Sequence, residues 1–319
     1  MKIQPPKIDL HRHLDGNIRV ATILELAESH GIELPACDVE TLKPYVTVME
    51  PVPSLVTFLE KFRWSVGVLA DPAACRRIAY ENVEDAHREG LKYVELRFSP
   101  WFMAQAFSLD AEAVVEATLQ GLHEGRRDFQ VGVEAIGILS RTFGTDICWK
   151  ELDALLAYKN QFTAIDLAGD EHGYPAALFQ KHFAKVRDQG LRVTIHAGEA
   201  AGAQSIWDSI ELLGAERIGH GIRAIDDPEL MDFLAENKIG LECCPTSNVQ
   251  TSTVPDYASH PLRKFLEWGL LATINTDDPG ISGIDLDYEL TQAAPAVGLS
   301  PEQIIQAQWN AAEIAFAKF

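Results

Sequence analysis

The sequence has no apolar run of membrane-spanning length and an excess of negative over positive charge. Its 319 residues include 27 Lys and Arg against 47 Asp and Glu, a formal net charge of −20 at pH 7. That charge repels polyphosphate backbones, so we expect no nucleic-acid partner. The lack of a long apolar run predicts no membrane partner, and the first residues lack the apolar core of a signal peptide. We therefore expect a soluble, cytoplasmic protein, and no protein partner is predicted.

Cysteine is also scarce. The chain has 5 cysteines, of which Cys243 and Cys244 are adjacent, and no Cys-x-x-Cys pair occurs. An odd number of cysteines cannot all pair, and neighbouring cysteines form a disulfide poorly. These features exclude a disulfide framework, a zinc ribbon and a thioredoxin-type site, and they favour reduced thiols in a reducing compartment.

A regular alternation of strand and helix patterns runs along the chain. Helical periodicity separates most of the strand patterns, for example at 111–129, 176–189 and 227–237. Strands alternating with helices in this way predict an α/β fold, a (β/α)8 TIM barrel. No linker composition divides the chain, so a single domain over residues 1–319 is expected. The eight predicted strands are Ile3–Leu10, Leu91–Phe98, Val131–Leu139, Thr163–Ala168, Leu191–Ile195, Arg217–Gly219, Ile239–Cys243 and Leu270–Asn275.

The long gap between the first two strands predicts a helical excursion that covers the barrel mouth. Arg19–His30 has helical spacing and ends at Gly31. The stretch Pro35–Pro53 is rich in turn formers and is predicted to be irregular. Ser54 can cap a following helix whose apolar stripe we interpret as a lid over the site, with ordinary core packing as the alternative. The stripe consists of Leu55, Phe58, Leu59 and Phe62.

Histidines and acids follow several of the predicted strands. In a strand, residues two apart face one side, so the imidazoles of His11 and His13 can reach one point. The carboxyl ends of barrel strands meet at one face, where His196, His220 and Asp277 are also expected. Each residue alone is a weak signal, but three imidazoles and a carboxylate form a set suited to zinc. The other histidines, including His182 and His260, are expected to be surface or capping residues.

Five motifs in this order closely resemble the adenosine deaminase family of the amidohydrolase superfamily, nearest to its bacterial members. The resemblance extends from about Ile8 to Phe319. From the family we would expect a later end, so we anticipate a shortened last helix. The motifs are His11-Arg-His-Leu-Asp-Gly16, His196-Ala-Gly-Glu199, Arg217-Ile-Gly-His-Gly221, Cys244-Pro-Thr-Ser-Asn248 and Asn275-Thr-Asp-Asp-Pro279.

The resemblance implies roles for individual residues. It implies one Zn²⁺ per chain, a proton donor in Glu199, and His220 and Asp277 to handle the attacking water. It further implies that Asp278 contacts purine N7, that the backbone of Gly169 contacts N3, that Asp15 helps to hold the ribose, and that His13 borders the substrate. The implied zinc ligands are His11, His13, His196 and Asp277, and the implied reaction is hydrolytic deamination of adenosine, and of 2′-deoxyadenosine, to inosine in purine salvage.

Three alternatives remain at this point. A dinuclear amidohydrolase generally has a bridging lysine after the fourth strand, but the sequence there is Asp166-Leu-Ala-Gly169-Asp170. A zinc-storing or sensing protein would not need Glu199. A deaminase of free adenine is the nearest rival within the family, and Asp15 with the Phe58 stripe favours a nucleoside instead. Nucleotides are disfavoured, because no glycine-rich phosphate loop lies beside the strand ends.

Overall fold

The computed structural model describes residues 5–318, and within them eight parallel strands form one sheet. Neighbours in sequence are neighbours in the sheet, in the order β1 to β8. This succession is the topology of a (β/α)8 barrel. The strands are β1 Ile8–His13, β2 Tyr93–Phe98, β3 Gly132–Ser140, β4 Ala164–Ala168, β5 Arg192–Ala197, β6 Arg217–His220, β7 Gly240–Cys243 and β8 Ala272–Ile274.

The first and last strands meet at the carboxyl rim of the barrel. His13 N donates to Asp277 O at 2.7 Å, and Asp277 N donates to His11 O at 2.8 Å. Lower down, the side chain of Asn275 accepts a hydrogen bond from Leu10 N at 3.0 Å. Because β8 is short, these contacts just beyond it bring the first and last strands together on the side where the functional residues lie.

Helices follow the strands and pack their apolar faces on the barrel. Several begin with an acidic or hydroxyl cap; Asp71, for example, accepts from Ala74 N at 2.8 Å. Along residues 5–318 no helix is both long and apolar enough to cross a membrane. The α-helices are Val20–His30, Val39–Val46, Leu55–Leu59, Phe62–Ser65, Pro72–Arg88, Pro100–Ala104, Ala111–Asp128, Thr145–Ala157, Gln180–Asp188, Ala203–Asp208, Pro228–Glu236, Pro245–Gln250, Leu262–Trp268, Pro279–Ser282, Leu286–Tyr288, Ala294–Val297 and Pro301–Ile314. Short 3₁₀ segments are Val66–Val68, Arg141–Phe143, Lys159–Gln161, Ala176–Phe179, Ile222–Asp226 and Tyr257–Ser259, and π-helical turns are Ser209–Leu213 and Glu289–Ala293.

The predicted barrel is confirmed, with two local corrections. The first strand begins at Ile8, and the part of its prediction before Pro5 lies outside the described residues. The prediction of an irregular Pro35–Pro53 was wrong, because Val39–Val46 is a helix. Asp38 caps it by accepting from Thr41 N at 3.0 Å. Pro44, the sixth of the eight residues of this helix, lacks the N–H that would bond to Glu40 O, so it removes one intrahelical hydrogen bond near the end of the helix.

Candidate active site

A cavity opens at the carboxyl ends of the strands, beneath the excursion between β1 and β2. The excursion contributes the helix Leu55–Leu59, whose cap Ser54 accepts from Thr57 N at 3.3 Å. The cavity brings together every residue predicted to bind substrate or to act in catalysis. These lining residues are His13, Asp15, Leu55, Phe58, Leu59, Phe62, Gly169, Glu199, His220, Asp277 and Asp278.

Four side-chain atoms converge at the bottom of this cavity. The Nε2 atom of His196 lies 3.0 Å from Nε2 of His11 and 3.2 Å from Nε2 of His13. Oδ1 of Asp277 lies 3.2 Å from Nε2 of His11 and 3.3 Å from Nε2 of His13. Ligands at about 2.0–2.1 Å from a tetrahedral zinc are separated by roughly 3.4 Å. The spacing therefore fits a single cation of zinc size.

The protonation of two of these imidazoles also favours a cation. Nδ1 of His11 lies 2.8 Å from Oε2 of Glu242, and Nδ1 of His196 lies 2.9 Å from Oδ2 of Asp166. A carboxylate accepts, so Nδ1 carries the proton and Nε2 presents a lone pair. Burial lowers the pKa of His11, and it lowers the pKa of His196 to about 3. Lone pairs that face one another at 3.0 Å repel unless a cation lies between them.

Buried arginines keep the two supporting carboxylates ionised. Arg97 donates to Asp166 Oδ2 and to Glu242 Oε2, both at 2.8 Å, and Arg217 donates to Glu242 Oε1 at 2.7 Å. Although burial alone would raise it, Arg97 and Arg217 hold the pKa of Glu242 well below 4.5. His196 and Arg97 likewise lower the pKa of Asp166. This network fills the barrel interior and fixes the direction of the ligand histidines.

Asp277 and Asp278 lie close together after β8. Adjacent residues on an extended segment would point opposite ways, but Asp277 has φ 62°, in the left-handed region. Ligand atoms of His13, Asp277 and Asp278 lie within 4.8 Å of one another as a result. Burial and the charge of Asp277 raise the pKa of Asp278 well above 3.8, whereas His220 and His11 overcome burial and hold the pKa of Asp277 well below it. Asp277 is therefore the ionised member of the pair.

Glu199 is held by a second carboxylate that the sequence did not suggest. Oε1 of Glu171 accepts from Gly198 N at 2.6 Å, and Oε2 accepts from the N–H groups of Glu199, Ala200 and Ala201 at 3.2, 2.9 and 2.8 Å. This turn aims the Glu199 side chain into the cavity, where Oε1 is buried and has no hydrogen-bond partner within residues 5–318. Burial, together with the charges of Asp277 and Glu171, raises the pKa of Glu199 to about 7.

A chain of hydrogen bonds determines which nitrogen of His220 carries its proton. Leu262 N donates to Nδ1 of His260 at 3.1 Å, so Nε2 of His260 must donate to Oδ1 of Asn248, 3.2 Å away. The amide nitrogen of Asn248 then donates to Nδ1 of His220 at 3.2 Å. The neutral His220 ring thus carries its proton on Nε2, which lies 3.6 Å from Oε2 of Glu199 and 3.8 Å from Oδ2 of Asp277.

That proton also decides between two possible ligand sets. His220 belongs, with His11, His196 and Asp277, to a group whose ligand atoms lie within 4.8 Å of one another. In this tautomer Nε2 of His220 offers no lone pair to a metal, whereas Nε2 of His13 lies at ligand spacing from both His196 and Asp277. Although burial lowers it, the neighbouring acids Asp278, Asp15 and Asp277 raise the pKa of His13 to about 9, and a bound cation would offset their charge. We therefore favour His13 as the ligand. His220 instead has φ 60°, an uncommon conformation for a non-glycine residue that is often found at functional positions.

Two of the histidines expected to be surface or capping residues are buried, and one of them, His260, accepts from Leu262 N at the start of a helix. His260 is buried and supports His220 through Asn248, and His182 is buried against Trp149, with the ring centroids 4.0 Å apart. Neither residue lies near a recognisable motif, so spacing along the chain offered no signal. Asn248 does lie in one of the five motifs, but its hydrogen bond to His220 depends on the three-dimensional arrangement of the loops after β6 and β7.

Comparison with known proteins agrees with this geometry. A family model described as "Adenosine deaminase" matches residues 6–319. The chain is 60% identical over 311 residues to an adenosine deaminase from Vibrio parahaemolyticus, covering 98% of this chain and 93% of that protein. It resembles the crystal structure of an adenine deaminase from Arthrobacter aurescens, with a TM-score of 0.90, 30% identity, and coverage of 98% and 94%. An amidohydrolase from Burkhoderia ambifaria with bound Zn gives a TM-score of 0.88 at 25% identity, with coverage of 98% and 86%.

Proposed function

The chain belongs to the adenosine deaminase family, and on that premise we propose how its residues carry out the reaction and which metal it uses. The chain is a hydrolase that deaminates adenosine. Adenosine and water give inosine and ammonia: a C–O bond forms at purine C6, the C6–N bond breaks, and the protons of water pass to the leaving nitrogen and the ring.

We propose that one Zn²⁺ per chain is held by His11, His13, His196 and Asp277. Imidazole nitrogen with one carboxylate oxygen is a zinc-type ligand set, and the chain resembles an amidohydrolase that has bound Zn. When bound, zinc would lower the pKa of a water molecule toward about 7 and so supply the nucleophile. Glu242 and Asp166 would orient the ligands by accepting from the outer ring nitrogens of His11 and His196.

Glu199 is proposed as the acid that protonates purine N1. Its pKa of about 7 lets it hold a proton near neutrality, and its buried Oε1 has no hydrogen-bond partner in the described part of the chain. Protonating N1 removes electron density from C6 and makes that carbon electrophilic. A general acid works best when its pKa lies near the working pH, as it does here.

His220 and Asp277 are proposed to control the attacking oxygen. The tautomer of His220 presents Nε2–H, which would donate a hydrogen bond to that oxygen and stabilise the charge that develops on it. Oδ2 of Asp277, 3.8 Å from the same nitrogen, would accept the proton that the water gives up. His220 therefore orients the water, and Asp277 is the base.

The purine contacts follow the same donor logic. N1, N3 and N7 of adenine all accept hydrogen bonds. Asp278, whose pKa is raised well above 3.8, would be protonated and would donate to N7. Gly169 would donate its N–H to N3; with φ 110° and Thr142 Oγ1 close to where a Cβ would lie, a larger residue would be strained there. Asp15 would contact the ribose, and His13 would border the substrate.

One observation supports this scheme above all: a ligand set spaced for one cation and the buried carboxyl of Glu199 share a single cavity. The test follows ultraviolet absorbance with adenosine, 2′-deoxyadenosine or adenine as substrate. We expect both nucleosides to turn over and adenine to be poor. Faster turnover of adenine would favour the adenine-deaminase alternative.

The metal is tested separately. A chelator should abolish turnover, and Zn²⁺ should restore it at one ion per chain by metal analysis. Activity that survives complete removal of metal would refute the metal role. A single domain over residues 1–319 and a cytoplasmic location remain predictions.

A further inference from the structure

Two serines at the rim of the cavity are joined to a buried glutamate that the proposed mechanism does not use. Ser99 follows β2, Ser140 ends β3, and both line the cavity. Glu151 lies in the helix Thr145–Ala157 and is fully buried. Its carboxylate accepts from Ser99 Oγ at 2.6 Å and from Ser140 N at 2.7 Å. A buried acid with these partners demands an explanation beyond packing, because burying a charge is costly.

While Glu151 is ionised, the hydrogen bonds of this trio have only one consistent direction. Ser99 Oγ gives its single proton to the carboxylate of Glu151, and it accepts from Phe102 N at 2.9 Å and from Ser140 Oγ at 2.8 Å. A hydroxyl has one proton and two lone pairs, so Ser99 is saturated. Ser140 Oγ must therefore donate its own proton to Ser99 Oγ, so toward the cavity it can only accept a hydrogen bond.

A second acceptor lies beside this one. Oδ2 of Asp15 accepts from Ser99 N at 3.3 Å, while Oδ1 of Asp15 is buried and has no hydrogen-bond partner among the described residues. We call Ser140 Oγ and Asp15 Oδ1 the acceptor pair. Both residues line the cavity that would hold the nucleoside. A ligand group that suits the pair is a hydroxyl, which donates, and a phosphate, which is anionic and accepts, does not suit it.

We propose that Ser140 is a specificity-determining residue that accepts a hydrogen bond from a ribose hydroxyl, and that Glu151 is a positioning residue that sets its direction through Ser99. This inference rests on the proposed function, since it assigns a contact to the sugar of the same nucleoside. The positioning role explains why an acid is buried where it touches no reacting atom. A neutral side chain at position 151 would not fix the direction of the hydrogen bonds from Ser140 to Ser99 and from Ser99 to residue 151.

The test compares Ser140→Ala with wild type on adenosine and on its 2′-, 3′- and 5′-deoxy analogues. Losing one neutral hydrogen bond should lower kcat/KM for adenosine by about 3- to 10-fold. The penalty should disappear for the one analogue that lacks the hydroxyl that Ser140 reads. Assays at pH 8.5 keep Glu151 ionised, because burial raises its pKa only to about 7. Ser209→Ala, a buried serine whose Oγ donates to Ser205 O at 2.7 Å, is the matched control.

Glu151→Gln tests the positioning role. In either orientation its amide NH₂ faces Ser99 Oγ or Ser140 N–H, so the relay is reversed or displaced. We expect the same analogue-specific loss as in Ser140→Ala, and no further loss in kcat/KM when the two changes are combined. Additive losses would overturn the positioning role.

Two outcomes of the Ser140→Ala test contradict the specificity role: no penalty with adenosine, or one equal penalty across adenosine and all three analogues. Neither bears on the proposed function, which fails only if the wild-type protein does not deaminate adenosine.

Discussion

Replacing Glu199 with Gln separates catalysis from folding at the centre of the site. Gln keeps the size of the side chain and can still donate a hydrogen bond to N1, but it cannot transfer a proton. Positioned acid catalysis contributes about 10²- to 10⁴-fold, or roughly 3–5 kcal/mol of barrier. We expect kcat to fall by at least that factor while the metal content and KM stay close to wild type.

The same change should stabilise the folded protein at alkaline pH. The pKa of Glu199 is raised from 4.5 to about 7, chiefly by burial. A raised carboxyl pKa means that the folded state binds the proton more tightly than the unfolded state, so stability falls as pH rises from 4.5 to 7. At pH 8 the ionised side chain costs the folded state up to about 3 kcal/mol, which Gln removes. At pH 4.5 the difference should be small.

The pH dependence of turnover has the same origin. Because the acid must be protonated, kcat/KM of the wild type should decline as pH rises through about 7, and Glu199→Gln should lack that decline. The assays are steady-state kinetics and thermal unfolding of metal-loaded protein at pH 5 and pH 8. Glu211→Gln, at an exposed glutamate, is the control for the loss of one charge. A kcat within a few-fold of wild type in Glu199→Gln would refute the acid role.

Three further changes test the surroundings of that acid. Asp278→Ala should retain one metal per chain yet lower kcat/KM by on the order of 10-fold, whereas Asp278→Asn, which keeps an N–H donor, should lose less; metal missing from either variant would make Asp278 a ligand. Leu59→Ala, at a half-buried position in the proposed lid, should raise KM with little change in melting temperature. Phe58→Ala should raise KM and also destabilise the fold by about 3–5 kcal/mol, because Phe58 is buried. An unchanged KM in both variants would leave these residues only a packing role. Glu171→Gln should lower kcat more than it raises KM, because one amide oxygen cannot serve the four N–H groups of the turn that carries Glu199; a rise in KM alone would contradict a positioning role.

The barrel and the residues at its strand ends were predictable from sequence because both depend on local pattern. Alternation of strand and helix identifies the scaffold, and a scaffold of parallel strands gathers whatever follows each strand. His11, His196 and Asp277 are far apart in sequence, yet each comes at or just after the end of a strand. The topology alone therefore places them at one face of the barrel.

The supporting network was not predictable, because its charged residues are buried, whereas charged residues in a strand usually indicate a face exposed to water. Arg97, Asp166 and Glu242 alternate with apolar residues in β2, β4 and β7, a pattern that in an open sheet indicates a face exposed to water. A closed barrel turns that face inward. Glu171 is similarly hidden, since it lies in a loop and acts only on the turn after the next strand. Such residues can be identified only when their partners across the barrel are known.

The polarity of the cavity argues for a nucleoside more strongly than any single residue does. Around the place proposed for the purine, the available groups donate: protonated Glu199, protonated Asp278 and the N–H of Gly169. The acceptor pair, Ser140 Oγ and Asp15 Oδ1, can only accept. Adenine has ring nitrogens that accept, and ribose has hydroxyls that donate. Free adenine would leave the acceptor pair without partners at a cost of about 1–3 kcal/mol for each buried group, and a phosphate placed against this pair would oppose it with more negative charge. Of these three ligands, only a base that carries an unphosphorylated sugar offers acceptors to the donating groups and donors to the acceptor pair.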